Sequence, residues 1–197
     1  MARVLILFAH PALERSRVNR RLVEVGQTIE SVTVHDLYET YPDYSIDVSA
    51  EQNRLEAHDV LVLQHPFYWY SCPALMKEWI DLVFEHGWAF GHKGDALRGK
   101  ILLNAITTGG PPEAYRADGY NRYSIRQLLR PFEQTANLCG MRYLAPFCVQ
   151  GVFAADDATL GRATEEYKAI LKAICQDRID LERAESVESL STDLIED

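Results

Sequence analysis

Residues 3–9, RVLILFA, run straight into residues 10–19, HPALERSRVN, and this stretch decides the fold. Val4–Phe8 is unbroken apolar sequence, the pattern of a parallel strand buried on both faces rather than the alternation of a half-exposed one. His10-Pro11 ends the run at once. Ser16, a good N-cap residue, then opens a stretch with Val18, Leu22 and Val25 at helical spacing. The reading is strand, short loop, helix.

Outward from that unit the alternation continues. Val32–Asp36 reads as a second strand, Ala50–Ala57 as a helix and Asp59–Gln64 (DVLVLQ) as a third strand. Pro73–Phe84 has Pro73 in its first turn and Leu75, Trp79, Ile80, Val83 and Phe84 as its apolar residues, so it is expected to be helical. Lys100–Ile106 (KILLNAI) is a fourth strand, and Tyr123–Cys139 a helix stopped by Gly140. Arg142–Val149 is a fifth strand, and Asp156–Cys175 a last helix capped by Asp156 or Asp157. Strands alternating with helices predict an α/β fold, a five-stranded parallel sheet with helices on both faces. The pattern alone leaves the strand order open.

The chain has 197 residues and a net charge of −9, of which residues 177–197 carry −6 and the remainder −3. Two units are therefore expected: a body at 1–176 and an acidic, flexible tail at 177–197. A mildly acidic body argues against nucleic-acid binding, which needs a basic face. The four cysteines (Cys72, Cys139, Cys148, Cys175) include no CxxC pair, so neither a metal site nor a disulfide framework is expected. With no apolar run of membrane-spanning length and no signal-peptide pattern, the expected location is the cytoplasm.

In an open α/β sheet, ligands bind beyond the carboxyl ends of the strands, which directs attention to three loops. After the first strand, His10, Ser16 and Asn19 surround a helix N-terminus, where free N–H groups suit a phosphate; a plain capped turn remains the alternative. After the third, Phe67-Tyr68-Trp69-Tyr70 is a run of aromatics that a flat aromatic ligand or an oligomer contact would cover. After the fourth, Thr107-Thr108-Gly109-Gly110 allows a close backbone approach to a ligand, or is simply a glycine turn.

His10 with Ser16-x-x-Asn19, Gln64-His65-Pro66, Trp69-Tyr70-Ser71-x-Pro73-x-Leu75-x-Lys77-x-Trp79 and Thr107-Thr108-Gly109-Gly110 together resemble the NAD(P)H:quinone oxidoreductase family. Gly87-Trp88-Ala89-Phe90-Gly91 and Leu97-x-Gly99-Lys100 add to the resemblance. Asp36-Leu37-Tyr38, Tyr41-Pro42-Asp43, Ile46-Asp47, Glu51-Gln52 and Tyr70-Ser71-Cys72-Pro73-Ala74-Leu75 narrow it to the ancillary proteins of glutathione-regulated potassium-efflux systems. The resemblance implies a flavodoxin-like sheet of order 2-1-3-4-5, a homodimer and a bound flavin, FMN or the FAD that shares its first phosphate. It places the phosphate on His10, Ser16, Arg17, Val18 and Asn19, the ring system against Phe67, Tyr68, Trp69 and Tyr70, and the ring edge on Thr107, Thr108, Gly109 and Gly110. Tyr115 matches a tyrosine of the family's catalytic pair, whereas the histidine of that pair falls on Asn121, an amide that cannot become cationic near neutral pH.

Three functions follow as expectations. The first is hydride transfer from NADH or NADPH through flavin to a quinone. The second is a regulatory flavin-binding subunit of a membrane potassium/proton antiporter. The third is an electron-transfer flavodoxin, disfavoured by the aromatic second loop and the long third one.

Overall fold

A computed structural model describes residues 1–196. Its centre is a parallel sheet of β1 (Val4–Phe8), β2 (Val32–Asp36), β3 (Val60–Pro66), β4 (Ile101–Thr107), β5 (Arg142–Tyr143) and β6 (Phe147–Val149). The order is β2-β1-β3-β4-β5, with β6 also on β4. That is the expected 2-1-3-4-5 order.

Along β1, Val4, Ile6 and Phe8 face one layer of core and Leu5 and Leu7 face the other, all with no exposed surface. The first layer packs α1 (Arg17–Gln27) and α7 (Asp157–Cys175), with Leu22, Tyr167 and Leu171 inside it. The second packs α3 (Val48–Glu56), α4 (Ala74–Val83) and α6 (Arg130–Leu138), around Leu55, Trp79 and Phe132. The shorter α2 (Leu37–Thr40), α5 (Ile125–Leu128) and α8 (Leu181–Ser186) complete the set.

Three expectations need correction. The fifth strand is interrupted: Leu144 N still donates to Leu102 O on β4, but Ala145 N turns outward to Ala184 O (2.7 Å) and Pro146 has no N–H to give. The helix expected at 123–139 is two, because Pro131 falls in the first turn of α6 and Ser124 and Gln127 form a capping box that starts α5 separately.

The third correction is the largest. Residues 177–196 form a strap packed on the body, where a loose tail was expected. Ile179, Ala184, Leu190 and Leu194 are buried in the first core layer. Ile179 bridges Ile195, Leu190 N donates to Pro146 O (2.9 Å), Arg126 donates to the carbonyls of Glu185 and Val187, and Arg142 pairs with Glu185.

Candidate functional site

The cleft lies beyond the carboxyl ends of the strands, where the alternation predicted it. Its floor begins at α1. Ser16 caps that helix by accepting from Asn19 N (3.1 Å). The N–H groups of Arg17 and Val18, in the first helical turn, have no carbonyl a turn earlier to receive them and remain available to an anion. Asn19 is buried; its Nδ2 donates to Ser16 Oγ (3.1 Å) and Thr107 Oγ1 (3.0 Å), tying α1 to the end of β4. Its Oδ1 is buried without a partner among the described residues.

His10 completes this end. Ala12 N donates to His10 Nδ1 (3.1 Å), which leaves the proton on Nε2 as a donor. Burial lowers the pKa of His10, against a smaller opposing pull from the Glu14 charge, so the ring contributes a neutral N–H rather than a cation. Arg15 and Arg17 supply the positive charge on this wall.

The second wall is the loop after β3. Phe67 is buried and its N–H donates to Thr107 O (2.9 Å), continuing the sheet into the loop. Trp69 (φ 49°) and Tyr70 (φ 62°) sit in the left-handed region, which non-glycine residues adopt only when their surroundings hold them there.

Beneath this loop lies a fully buried polar chain. Tyr143 Oη donates to Asn104 Oδ1 (2.7 Å), and Asn104 Nδ2 donates to His65 Nε2 (3.1 Å). The remaining proton on Nδ1 therefore donates to Pro66 O (3.0 Å). Burial pushes His65 down to about 4, so it stays neutral and acts as a strut for the loop.

The third wall is Thr107–Gly110. Thr108 Oγ1 donates to Gly110 O (2.8 Å) and Thr108 N to Val149 O (2.9 Å). A Cβ on Gly109 would lie 2.4 Å from the Phe153 ring, so glycine here lets that ring lie close against the backbone. Further along, Gly119 passes so close to Glu113 O that a Cβ would lie 2.3 Å from it, and Asn121 N then donates to Ala114 O (3.1 Å). Burial raises the pKa of Tyr115, against a hydrogen bond to Thr108, which keeps its phenol protonated as a donor.

These walls enclose a cleft of about 580 Å³ that touches His10, Ser16–Asn19, Phe67, Tyr68, Thr107 and Gly109. A second cavity of about 200 Å³, sharing Phe67 with the first, is lined by Trp69, Tyr70, Tyr115, Tyr120 and Asn121. Of the residues singled out from sequence, Thr108 and Gly110 alone line neither cavity; they brace the third loop. Val152 and Phe153, after β6, line the main cleft, and Tyr120 lines the smaller one. The strand-end rule applies to the fifth strand as to the others, so Gly151 just beyond it was the available signal for Val152 and Phe153.

A flavin nucleotide fits this donor set. The open N–H groups and the His10 donor suit a phosphate, the partnerless Asn19 Oδ1 suits a hydroxyl, and the aromatic wall suits a flat ring system.

Comparison with known proteins agrees with the geometry. A family described as having a flavodoxin-like fold matches residues 2–171. The glutathione-regulated potassium-efflux system ancillary protein of Serratia proteamaculans is 54% identical over 147 residues, 75% of this chain and 80% of that one. The crystal structure of general stress protein 14 from Treponema denticola in complex with FMN superposes with a TM-score of 0.83 at 40% identity, over 87% of this chain and 99% of that one. An NADPH-quinone reductase from P. pentosaceus superposes at 0.78 with 33% identity, over 85% and 96%. This chain therefore belongs to the flavodoxin-like family, alongside the potassium-efflux ancillary proteins and quinone reductases.

Proposed function

We propose that the chain is a flavin-dependent oxidoreductase, with FMN as the fitting cofactor, that takes reducing equivalents from NADH or NADPH and gives them to a quinone-type acceptor. The observation that carries this reading is the continuity of two differently built spaces: an anion-binding helix end and, across Phe67, an aromatic box. When bound, the flavin supplies hydride chemistry between donor and acceptor. The chain's own residues do the rest. His10, Ser16, Arg17, Val18 and Asn19 hold the phosphate end; Phe67, Tyr68, Trp69 and Tyr70 wall the ring; the Thr107–Gly110 backbone meets its edge. Tyr115 contributes a neutral phenol donor and Asn121 a neutral amide. With one aromatic opening, donor and acceptor occupy the same place in turn, which makes the kinetics ping-pong.

A second role is supported by the potassium-efflux relatives: an ancillary subunit on the cytoplasmic face of a membrane potassium/proton antiporter. No helix among the described residues is long and apolar enough to cross a membrane. The protein is also expected to work as a homodimer. Trp69, Phe153 and Tyr120, 92%, 89% and 73% exposed, form an apolar rim at the cleft that a second copy would cover. Trp88 and Phe90, within the Gly87–Gly91 segment that carries part of the resemblance, are partly buried and add little to that rim, Trp88 donating to Glu56.

The deciding experiment is the absorbance spectrum of the purified protein, identification of the released flavin, and steady-state oxidation of NADH and NADPH with and without a quinone. A protein that takes up no flavin would sink the proposal. One that binds flavin but turns over nothing would leave the ancillary role alone standing.

A further inference from the structure

We propose that Tyr70 is a positioning residue for the acceptor, acting through Asn121: the two side chains latch the loop after β3 to the loop after β4 and present the Asn121 amide nitrogen as hydrogen-bond donor to an acceptor carbonyl. This rests on the reductase reading above and specifies which residues choose its acceptor.

Tyr70 Oη donates to Asn121 Oδ1 at 3.0 Å, across 51 positions of sequence. Both partners are set from the backbone. Tyr70 is held at φ 62° directly after Trp69 at 49°, and Asn121 is placed by its own N–H on Ala114 O and by the tight passage at Gly119. Each loop takes its shape first from its own backbone, and the side-chain contact then ties the two loops to each other.

The bond also divides the labour of the amide. Its oxygen is engaged by the phenol, which leaves the Nδ2 hydrogens without a partner among the described residues, on the wall of the 200 Å³ cavity. The other lining residues are all aromatic, with Phe67 6.3 Å from both Tyr70 and Tyr115 between ring centroids. Such a box accepts flat rings in general. A donor fixed at its rim favours those carrying a carbonyl oxygen, because the oxygen then replaces the water it loses on entering. An amide does not titrate, so this preference is constant across neutral pH, unlike one resting on histidine.

Tyr70→Phe removes the phenol oxygen and keeps the ring. In flavin-loaded protein, the kcat/KM ratio for a benzoquinone over ferricyanide, which offers no carbonyl, should fall about three- to tenfold, the span of one net hydrogen bond. The fall should be carried by KM and be the same at pH 6 and pH 8. Asn121→Ala should give a drop of similar size, and the double variant should be no worse than either alone, as expected of one coupled unit. An unchanged ratio, or two additive drops, would overturn the proposal.

The latch has a readout without flavin. Backbone amides of residues 111–122 in the flavin-free protein should exchange hydrogen faster in Tyr70→Phe by a similar factor. Unaltered exchange would refute the latch even where the reductase reading holds. If wild-type protein reduces no acceptor, the acceptor role falls with the reductase reading, and exchange alone then decides whether the two loops are joined.

Discussion

The N-terminus of α1 and the C-terminal strap are both short segments fixed on the same sheet, and they are held by different physics. At α1 the work is local and polar: Ser16 caps the helix, and Asn19, three residues on, reaches Thr107. The strap is held from far away in sequence and mainly by apolar contact. Ile179, Leu190 and Leu194 fill gaps in the first core layer, while Arg126 and Arg142 come from 43 to 61 positions earlier to hold its carbonyls and Glu185. The contrast teaches that a high acid count describes what a segment shows to water and not what anchors it. Most of the strap's acids face outward, Asp180 and Glu185 being half-buried, and a few irregularly spaced apolar residues carry the docking.

Removing the strap is the most severe way to test this contrast. Truncation after Asp177 withdraws three large apolar side chains, each contributing about 1.5–3 kcal/mol, and strips Ala145 N–H of its partner. Part of that gain is offset in the intact protein by the entropy of ordering the segment. A net loss of about 3 kcal/mol, or about 10 °C in melting temperature, is expected. A shift below about 3 °C would return the segment to the status of a tail.

A pH series separates the two regions next. His65 belongs to the site's supporting strut and not to the strap. Its folded pKa of about 4 lies below the ordinary 6.5. Between those values the unfolded chain binds a proton that the folded one refuses, so stability falls as pH drops from 6.5 towards 4 and this contribution levels off below. From pH 6.5 to 5 the expected loss is about 2 kcal/mol by denaturant titration. Buried Glu51 adds to acid lability only lower down. Burial by itself would raise its pKa, but the His35 ring beside it and bonds from Trp79 and Tyr41 bring it to about 2 against an ordinary 4.5, so its stabilisation is complete above 4.5 and lost towards 2. The truncated protein should show the same slope between pH 5 and 6.5. NMR titration of His65 near 6.5 would show that the strut is open to water.

Gly109 tests the site with little effect on the fold. In Gly109→Ala the new methyl displaces the ring of Phe153, which is exposed and free to swing, so stability should change by less than about 0.5 kcal/mol. Flavin approaching the backbone there would be pushed away, and its dissociation constant should rise about tenfold, worth about 1.4 kcal/mol. Fluorescence titration gives the number. Equal affinity would show that Gly109 serves the turn and not the ligand.

The difference between the two regions also explains what the sequence could reveal. Strands were legible because Val4–Phe8 and Val60–Leu63 are continuous apolar runs, and the rim followed from where those runs end. The Ser16 cap was legible because its partner is three residues away. The strap was not, since Ile179, Ala184, Leu190 and Leu194 follow neither a two-residue nor a helical period. The left-handed turns at Trp69 and Tyr70 were equally hidden, because the usual sign of such backbone is glycine. Gln64, His65 and Asn104 did leave a trace, as polar residues inside apolar strands, although their partners come from other elements.

The smallest expected effect bears on whether charge holds the strap at all. Glu185→Gln removes the ion pair with Arg142 but leaves an amide oxygen of similar shape to accept from the guanidinium. Both side chains are more than a third exposed, 39% for Arg142 and 38% for Glu185, so water and salt already screen most of their attraction. The carbonyl contacts of Arg126 are untouched by the change. The expected cost is below about 0.5 kcal/mol, set against about 2 kcal/mol or more for Leu190→Ala, which empties a buried position next to Pro146. Melting curves of both variants at low and high salt make the comparison direct. If Glu185→Gln matched Leu190→Ala and the wild-type protein lost stability in salt, the strap would be an electrostatic clasp. If it did not, the acids of the strap would be left with solubility and partner selection as their task, and the apolar residues with docking it.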